Sequence, residues 1–406
     1  MASVKIFPSV LNGSILVPPS KSTAHRAAIC AALAGGKALF EEEPFSDDIT
    51  ATCRAMRTIR SGGESIRIDC GESGSTLRFL IPVAAALGLK AEFTGRGRLP
   101  ERPIGVYLNC LPQHGVLCET EGGLPLAVSG RMTPGKFVLP GNVSSQFITG
   151  LLLALPLLDG DSELILSSPL ESAGYVDMTI ETMREFGVTV QRTEKGWNIP
   201  GRQPYKPCAY RVERDWSQAA FFLAAGALGG NIRLEGLNRN SSQGDRAAER
   251  LFRAFGADVE WKGSVLSVAP KELNGIEIDA SQIPDLVPVL AATAALCRGR
   301  TRIFNAQRLR IKESDRLAAM ADGLTRLGGH VTQTHGGLIV DGVDRLHGGE
   351  VDGCNDHRIV MALSIAALRA DGCVTISDAQ SIQKSYPAFF KDYNQLGGKA
   401  NVVSMG

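Results

Sequence analysis

The chain has 406 residues, more than one ordinary hydrophobic core accommodates, so two domains are expected. Lys and Arg number 43 against 42 Asp and Glu, with no basic block or acidic tail, and a net charge of +1 argues against nucleic acid as the main partner. Hydrophobic content of 44% with 21% charged residues is the composition of a folded soluble protein.

In chain order, the N-terminal MASVKIFPSV lacks the apolar core and cleavage site of a signal peptide, so the protein is expected in the cytoplasm. The first motif is VPPSKSTAHR, residues 17–26, which runs into an alanine-rich helical pattern. Its Lys-Ser pair at a helix start resembles the end of a P-loop, but the upstream glycines of that loop are missing.

The helical pattern that follows then recurs. AHRAAICAALAGG, STLRFLIPVAAALG, SQFITGLLLALPLLDG, SQAAFFLAAGALGG, PDLVPVLAATAALCRG and HRIVMALSIAALRADG are apolar nearly all round, which predicts six buried helices. The longest apolar run, FITGLLLALPLL, is interrupted by glycine and proline and is too short to span a membrane. After each buried helix comes a more amphipathic one that stops at glycine before a Val/Ile/Thr-rich strand: RTIRSGGESIRI, LPQHGVLCE, MREFGVTVQ, FRAFGADVEW, LTRLGGHVTQ and YNQLGGKANVV. Glycine there predicts a left-handed helix cap. Six βαβ-like units result, three before about residue 213 and three after it, arranged as two similar domains.

The six buried helices start at Ser20-Lys21-Ser22, Gly74-Ser75-Thr76, Ser144-Ser145-Gln146, Asp215-Trp216-Ser217, Pro284-Asp285 and Asn355-Asp356-His357-Arg358. Any one of these alone reads as an N-cap rather than a ligand, because Ser, Asp and Asn satisfy the free N–H groups there. A cation beside the positive end of a helix dipole is unfavourable unless an anion lies between them. Lys21, Arg26, Arg78 and Arg358 therefore point to an anionic substrate. Three further stretches carry cations. TGRGRLPERPIG spaces Arg96, Arg98 and Arg102 with Gly and Pro, in the manner of an anion-approaching loop or an ordinary exposed turn. RLRIKESDRLAAM puts Lys312 and Arg316 four apart on one expected helix face, with Glu313 three before Arg316, a spacing that also suits a salt-bridged surface helix. In QSIQKSYPAFF, Lys384 reads as a loop lysine without an obvious partner.

Nine cysteines without a CxxC are expected to be buried thiols, and no cluster has metal-ligand spacing, so no metal is expected.

Together and in order, PPSKSTAHR, ESGSTLRF, GRLPERPIG, GNVSSQFITGLLLALP, IPDLVPVLAA, RIKESDRLAAM, CNDHRIVMAL and QKSYPAFF resemble the 5-enolpyruvylshikimate-3-phosphate synthases over almost the whole chain. The resemblance implies an α/β fold of two similar inside-out domains, each of three βαβαββ units with buried helices, making six internal repeats. It places residues 1–18 and 213–406 in one domain and 19–212 in the other, with a hinge at about 18–20 and 213–215 that closes as substrates bind. It implies transfer of the enolpyruvyl group of phosphoenolpyruvate to the 5-hydroxyl of shikimate 3-phosphate, without cofactor, by a protein expected to be a monomer.

By the same resemblance Asp285 is the base and Glu313 the acid, Lys21 or Lys384 sharing proton transfers, and Glu313 is expected in a desolvated position that keeps it protonated. Shikimate 3-phosphate would meet Lys21, Ser22, Arg26, Ser144, Ser145, Gln146, Ser172, Tyr175, Asp285 and Lys312. Phosphoenolpyruvate would meet Lys21, Gly74, Arg98, Gln146, Arg316, Arg358 and Lys384. The family's NAGTAMRP pattern is replaced by ESGSTLRF, and Glu72 and Phe79 bear on how inhibitors resembling phosphoenolpyruvate, such as glyphosate, are held. Two other enzyme readings fit less well. The UDP-N-acetylglucosamine enolpyruvyl transferases carry a cysteine acid where TGRGRLPERP has none, and the nucleotide-accepting histidine pattern of RNA 3′-terminal phosphate cyclases is not visible. A non-catalytic anion-binding repeat protein would have no need of Asp285 and Glu313.

Overall fold

The computed structural model describes residues 2–36 and 46–404. The chain divides into two compact units, one of Lys21–Val212 and one of Met1–Ser20 with Glu213–Gly406.

Among its described residues the Lys21–Val212 unit holds helices α1 (Lys21–Leu33), α2 (Asp47–Ser61), α3 (Gly74–Ala86), α4 (Gly105–Cys110), α5 (Ser145–Ala154) and α6 (Ala173–Glu185). The other unit holds α7 (Trp216–Ala227), α8 (Ala247–Phe255), α9 (Val287–Ala294), α10 (Arg316–Arg326), α11 (His357–Ala366) and α12 (Phe389–Gln395). Odd-numbered helices are the expected apolar ones. Every residue of α7, α9 and α11 is buried, and α3 and α5 expose only Ser75 and Gln146 in part. Even-numbered helices present one apolar face and keep the other in solvent. The result is helices inside and sheets outside, because the apolar stripe of the inner helices runs all the way round.

The sheets repeat one pattern. Each of five has a parallel strand pair followed by two antiparallel neighbours, as in Ile66–Asp69, Ala91–Thr94, Leu126–Gly130 and Val116–Glu119. A sheet with consecutive helices between its first strands is the βαβαββ unit. The first repeat has its helix pair α1 and α2, but part of its connection lies outside the described residues. In the discontinuous unit the N-terminal strand Ala2–Phe7 pairs with Lys399–Ser404, and Asn12–Leu16 runs parallel to Asn231–Glu235. The two segments where the chain leaves and re-enters this unit lie antiparallel: Asp215 N–H donates to Pro18 O (2.9 Å) and Ser20 N–H to Glu213 O (2.8 Å).

The six expected cap glycines, Gly62, Gly115, Gly187, Gly256, Gly328 and Gly397, all have positive φ, between 65° and 112°. No side chain tolerates that backbone as well, so the same residue ends every outer helix.

Two expectations are corrected. Residues 308–320 are not one helix: a 3-10 turn Gln307–Ile311 ends at an extended Lys312, and α10 begins afresh behind Asp315, whose carboxylate accepts from Ala318 N–H (3.0 Å). An aspartate N-cap stabilises a new start by about 1 kcal/mol. The cysteines are free, but only Cys30, Cys70, Cys110 and Cys297 are buried, and Cys208 is exposed. Among the described residues no helix is long and apolar enough to cross a membrane, and no group of three or more His, Cys, Asp or Glu is placed to hold a metal.

Candidate active site

The cap reading of the helix starts holds for four of the six inner helices. Ser73, Ser144, Asp215 and Asp356 accept from the N–H groups of Thr76, Gln146, Gln218 and Arg358. The second helix start therefore lies one residue earlier than the motif suggests. Capping does not exhaust a serine: its oxygen accepts the N–H while its own hydrogen remains a donor.

In the Lys21–Val212 unit the first turns of three helices are tied together by one buried side chain. Arg26 donates from Nε to Thr179 Oγ1 (2.7 Å), from Nη1 to Ser22 O, and from Nη2 to Tyr175 O (2.9 Å) and Thr149 Oγ1 (3.3 Å). This gathers Ser22 of α1, Ser144–Gln146 at the start of α5 and Ser172–Tyr175 at the start of α6. Ser172 is buried with φ 58°, a left-handed backbone unfavourable for serine, which places the hydroxyl just before α6. Arg26 has only neutral partners among these contacts, and burial lowers its pKa to about 10. The guanidinium stays charged at neutral pH and its field is open to an anion.

Lys21, at the head of α1, pairs with Asp48 in the first turn of α2 at 2.8 Å. Behind them a buried chain runs from His25 Nδ1 through Thr52 and Thr76 to Ser73, with links of 2.7, 2.6 and 2.8 Å, joining α1, α2 and α3. Burial first, and then Lys21 and Arg26, lower the His25 pKa well below its usual value, so the imidazole is neutral.

Arg78 fixes Gln146. Nη1 donates to Gln146 Oε1 (2.7 Å), Nη2 donates to Pro103 O (2.9 Å), and Gln146 Nε2 donates to Ser75 Oγ (3.1 Å). Pro82, inside α3, has no N–H for the carbonyl of Arg78, and the Tyr107 hydroxyl donates to that oxygen instead at 2.7 Å. Gly74 opens α3 directly against Arg102: a Cβ there would meet the guanidinium at 2.7 Å. Arg98 is exposed just before a 3-10 turn; its carbonyl accepts from Glu101 N–H (3.1 Å), and its side chain makes no hydrogen bond or ion pair among the described residues.

The discontinuous unit carries a second cluster, built on carboxylates. Arg316, the first residue of α10 and 2% exposed, donates from Nε to Asp356 Oδ2 (2.8 Å). Its Nη1 meets Asp285 Oδ1 (3.0 Å) and its Nη2 meets Glu313 Oε2 (2.8 Å). Arg358 Nη2 holds Asp285 Oδ2 at 2.9 Å, and Lys312 Nζ is 3.7 Å from Oδ1. Burial alone would raise the Asp285 pKa, but Arg358, Lys312 and Arg316 outweigh it and hold the carboxyl well below its ordinary value. Asp285 stands in a 3-10 turn, Pro284–Leu286, ahead of α9, so these cations act on it beside any helix dipole. Burial likewise disfavours the Arg316 cation, yet Asp356, Glu313 and Asp285 more than compensate.

Two readings change here. Glu313 is half-buried rather than fully desolvated, and Arg316 Nη2 donates to its Oε2 at 2.8 Å. Lys384 is no loop lysine: it ends a 3-10 turn, is buried, and donates to Asn355 O at 2.6 Å. That carbonyl is presented by Cys354 and Asn355, both left-handed. Asp48 and Asp356 were not expected as ion-pair partners. Their carboxylates are far in sequence from Lys21 and Arg316, and only the Asp-His-Arg cap pattern hints at the second.

A family model for EPSP synthase (3-phosphoshikimate 1-carboxyvinyltransferase) matches residues 7–393. Proteins named 3-phosphoshikimate 1-carboxyvinyltransferase from Clostridium novyi and Clostridium acetobutylicum are 44% and 45% identical, each alignment covering 100% of both chains. Among solved structures, an EPSP synthase from Acinetobacter baumannii superposes with a TM-score of 0.83 at 26% identity, covering 100% of both chains. The enolpyruvyl transferase NikO from Streptomyces tendae, at 18% identity and a TM-score of 0.79 over 100% of both chains, shares the fold.

Proposed function

Because the chain belongs to the EPSP synthase family, and is thus an enolpyruvyl transferase acting on shikimate 3-phosphate, we propose that its two clusters divide the work of that reaction. The observation that carries this reading is the charge contrast between them. One cluster gathers hydroxyls, amides and cations, with Asp48 paired to Lys21, and the other sets several carboxylates among cations.

Lys21, Ser22, Ser144, Ser145, Gln146, Ser172 and Tyr175 bind shikimate 3-phosphate, joined by Lys312 and by Asp285 at the reacting hydroxyl. Arg26 contributes its charge and holds the three helix starts in place. Phosphoenolpyruvate is held at its phosphate by Lys21, Gly74, Arg98, Gln146 and Lys384, and at its carboxylate by Arg316 and Arg358. A planar guanidinium suits a carboxylate, and helix N–H groups suit a phosphate.

In the reaction Asp285 takes the proton of the 5-hydroxyl as that oxygen bonds to C2 of phosphoenolpyruvate, while Glu313 delivers a proton to C3. The tetrahedral adduct then loses phosphate as a proton leaves the new methyl group, which restores the double bond. Before substrate arrives, Asp285 and Glu313 occupy the guanidinium donors that the incoming carboxylate needs. When phosphoenolpyruvate takes those donors, Asp285 loses stabilising charge and becomes a stronger base, and Glu313 is released to carry a proton.

Phosphate release from phosphoenolpyruvate is the test. We expect release with shikimate 3-phosphate and none above background with UDP-N-acetylglucosamine. Release with the sugar nucleotide alone would overturn the assignment.

A further inference from the structure

Among the described residues, the buried carboxylates of the discontinuous unit that the reaction above does not use include Asp215, which caps α7, and Asp245. Asp245 lies in a 3-10 turn, Gly244–Arg246, and is 3% exposed. Ser217 Oγ, in the first turn of α7, donates to its Oδ2. Helix α7 packs against that turn, against Pro284–Leu286 with Asp285, and against α11 with Arg358. A carboxylate is costly to bury, so its position beside the cluster asks for a reason.

We propose that Asp245 is a positioning residue for the base: its carboxylate, held by Ser217, sets the charge balance between Asp285 and Arg358. The proposal rests on the reading of Asp285 as the base. The charges that act on Asp245 include Asp285 of the Pro284–Leu286 turn, Arg358 of α11 and Asp215 at the start of α7, and α7 packs against both of the other two elements. On its own turn Arg246 is directed away to Arg239 O, and on α8 Glu249 is engaged by Arg253 and Trp261. Burial first, and then Asp285, push the Asp245 carboxyl up to about 6, while Arg358 and the Ser217 hydroxyl pull it down.

The sign of the effect follows. Above about pH 6 Asp245 is ionised, shares the field of Arg358 and raises the proton affinity of Asp285. Below that pH it is neutral, Arg358 acts on Asp285 undiluted, and the base weakens. The wild-type kcat therefore has an acid limb set by a group that does not touch substrate.

Three variants test this by kcat–pH profiles, with melting curves as a folding control. Asp245→Asn loses the limb and runs at a flat rate about 10-fold below the wild-type plateau, with KM for phosphoenolpyruvate within about 3-fold of wild type. Ser217→Ala loses the hydrogen bond that favours the ionised form. Its limb moves up by about 0.5–1 pH unit while its rate at about pH 8.5 stays within about 2-fold of wild type. Asp285→Asn stays at least about 100-fold below wild type throughout. A limb unchanged in both Asp245→Asn and Ser217→Ala, with Asp285→Asn so impaired, would overturn the role of Asp245 alone. Wild-type turnover in Asp285→Asn would overturn the base on which it rests.

Discussion

Asp285→Asn should lower kcat by about 10²–10⁴-fold, the usual contribution of a positioned general base, while leaving phosphoenolpyruvate bound at least as tightly as in wild type. The amide keeps the shape of the carboxylate and can still accept from Arg316 Nη1 or Arg358 Nη2, which hold Asp285 at 3.0 and 2.9 Å. What it loses is the negative charge and the ability to take a proton. With that charge gone, the two guanidinium groups have one competitor fewer for the substrate carboxylate. Loss of rate without loss of affinity separates a base from a ligand. Calorimetric titration with shikimate 3-phosphate present reads the affinity, and single-turnover phosphate release reads the rate. Weaker binding with unchanged single-turnover rate would make Asp285 a binding residue only.

The second large effect belongs to Arg316. Arg316→Leu removes the cation that meets Asp356, Asp285 and Glu313 at 2.8, 3.0 and 2.8 Å, leaving three carboxylates short of charge. Stranding buried ions in this way costs about 3–5 kcal/mol, and chemical denaturation should show it. The pH dependence has a definite sign. Asp285 titrates well below its ordinary value in the folded chain, so its pairing stabilises the fold above the unfolded value of about 4 and fades as pH falls further through the folded value. The penalty of Arg316→Leu should accordingly be full at neutral pH and shrink in acid. Arg316→Lys restores charge but not the three-way fork. It should fold, raise KM for phosphoenolpyruvate by about 10-fold or more, and leave the dissociation constant for shikimate 3-phosphate within about 3-fold, because most of that substrate's ligands lie in the other unit. An equal loss for both substrates would contradict the division of labour.

Much of the fold is legible in the sequence because it is written six times. Helices apolar all round, from AHRAAICAALAGG to HRIVMALSIAALRADG, can only be interior, and a glycine of positive φ follows each outer helix. Short-range chemistry reads less well. The run RLRIKESDRLAAM has helical composition throughout, yet Asp315 offers a side-chain cap that outcompetes continuation, and the break sets Lys312 and Glu313 on a turn. The candidate site is legible where a cation stands next to a helix start, as at Lys21 and Arg358. It is not legible where the partner is remote: nothing local joins Lys21 to Asp48, Arg316 to Asp356, or Lys384 to the carbonyl of Asn355. Arg26 shows the same limit from the other side. Its position one turn past Ser22 marks it as part of the site, but only the structure shows its donors turned inward to Thr149, Tyr175 and Thr179.

The central claim is that the cations hold Asp285 as a weak base until the substrate carboxylate takes their donors. The Asp285 carboxyl carbon, followed by ¹³C NMR in aspartate-labelled protein and assigned by its loss in Asp285→Asn, measures this directly. Titration of the free protein should give a midpoint well below the usual aspartate range, and adding shikimate 3-phosphate with a non-transferable analogue of phosphoenolpyruvate should raise it. A midpoint that stays as low, or falls further, in the ternary complex would contradict the account.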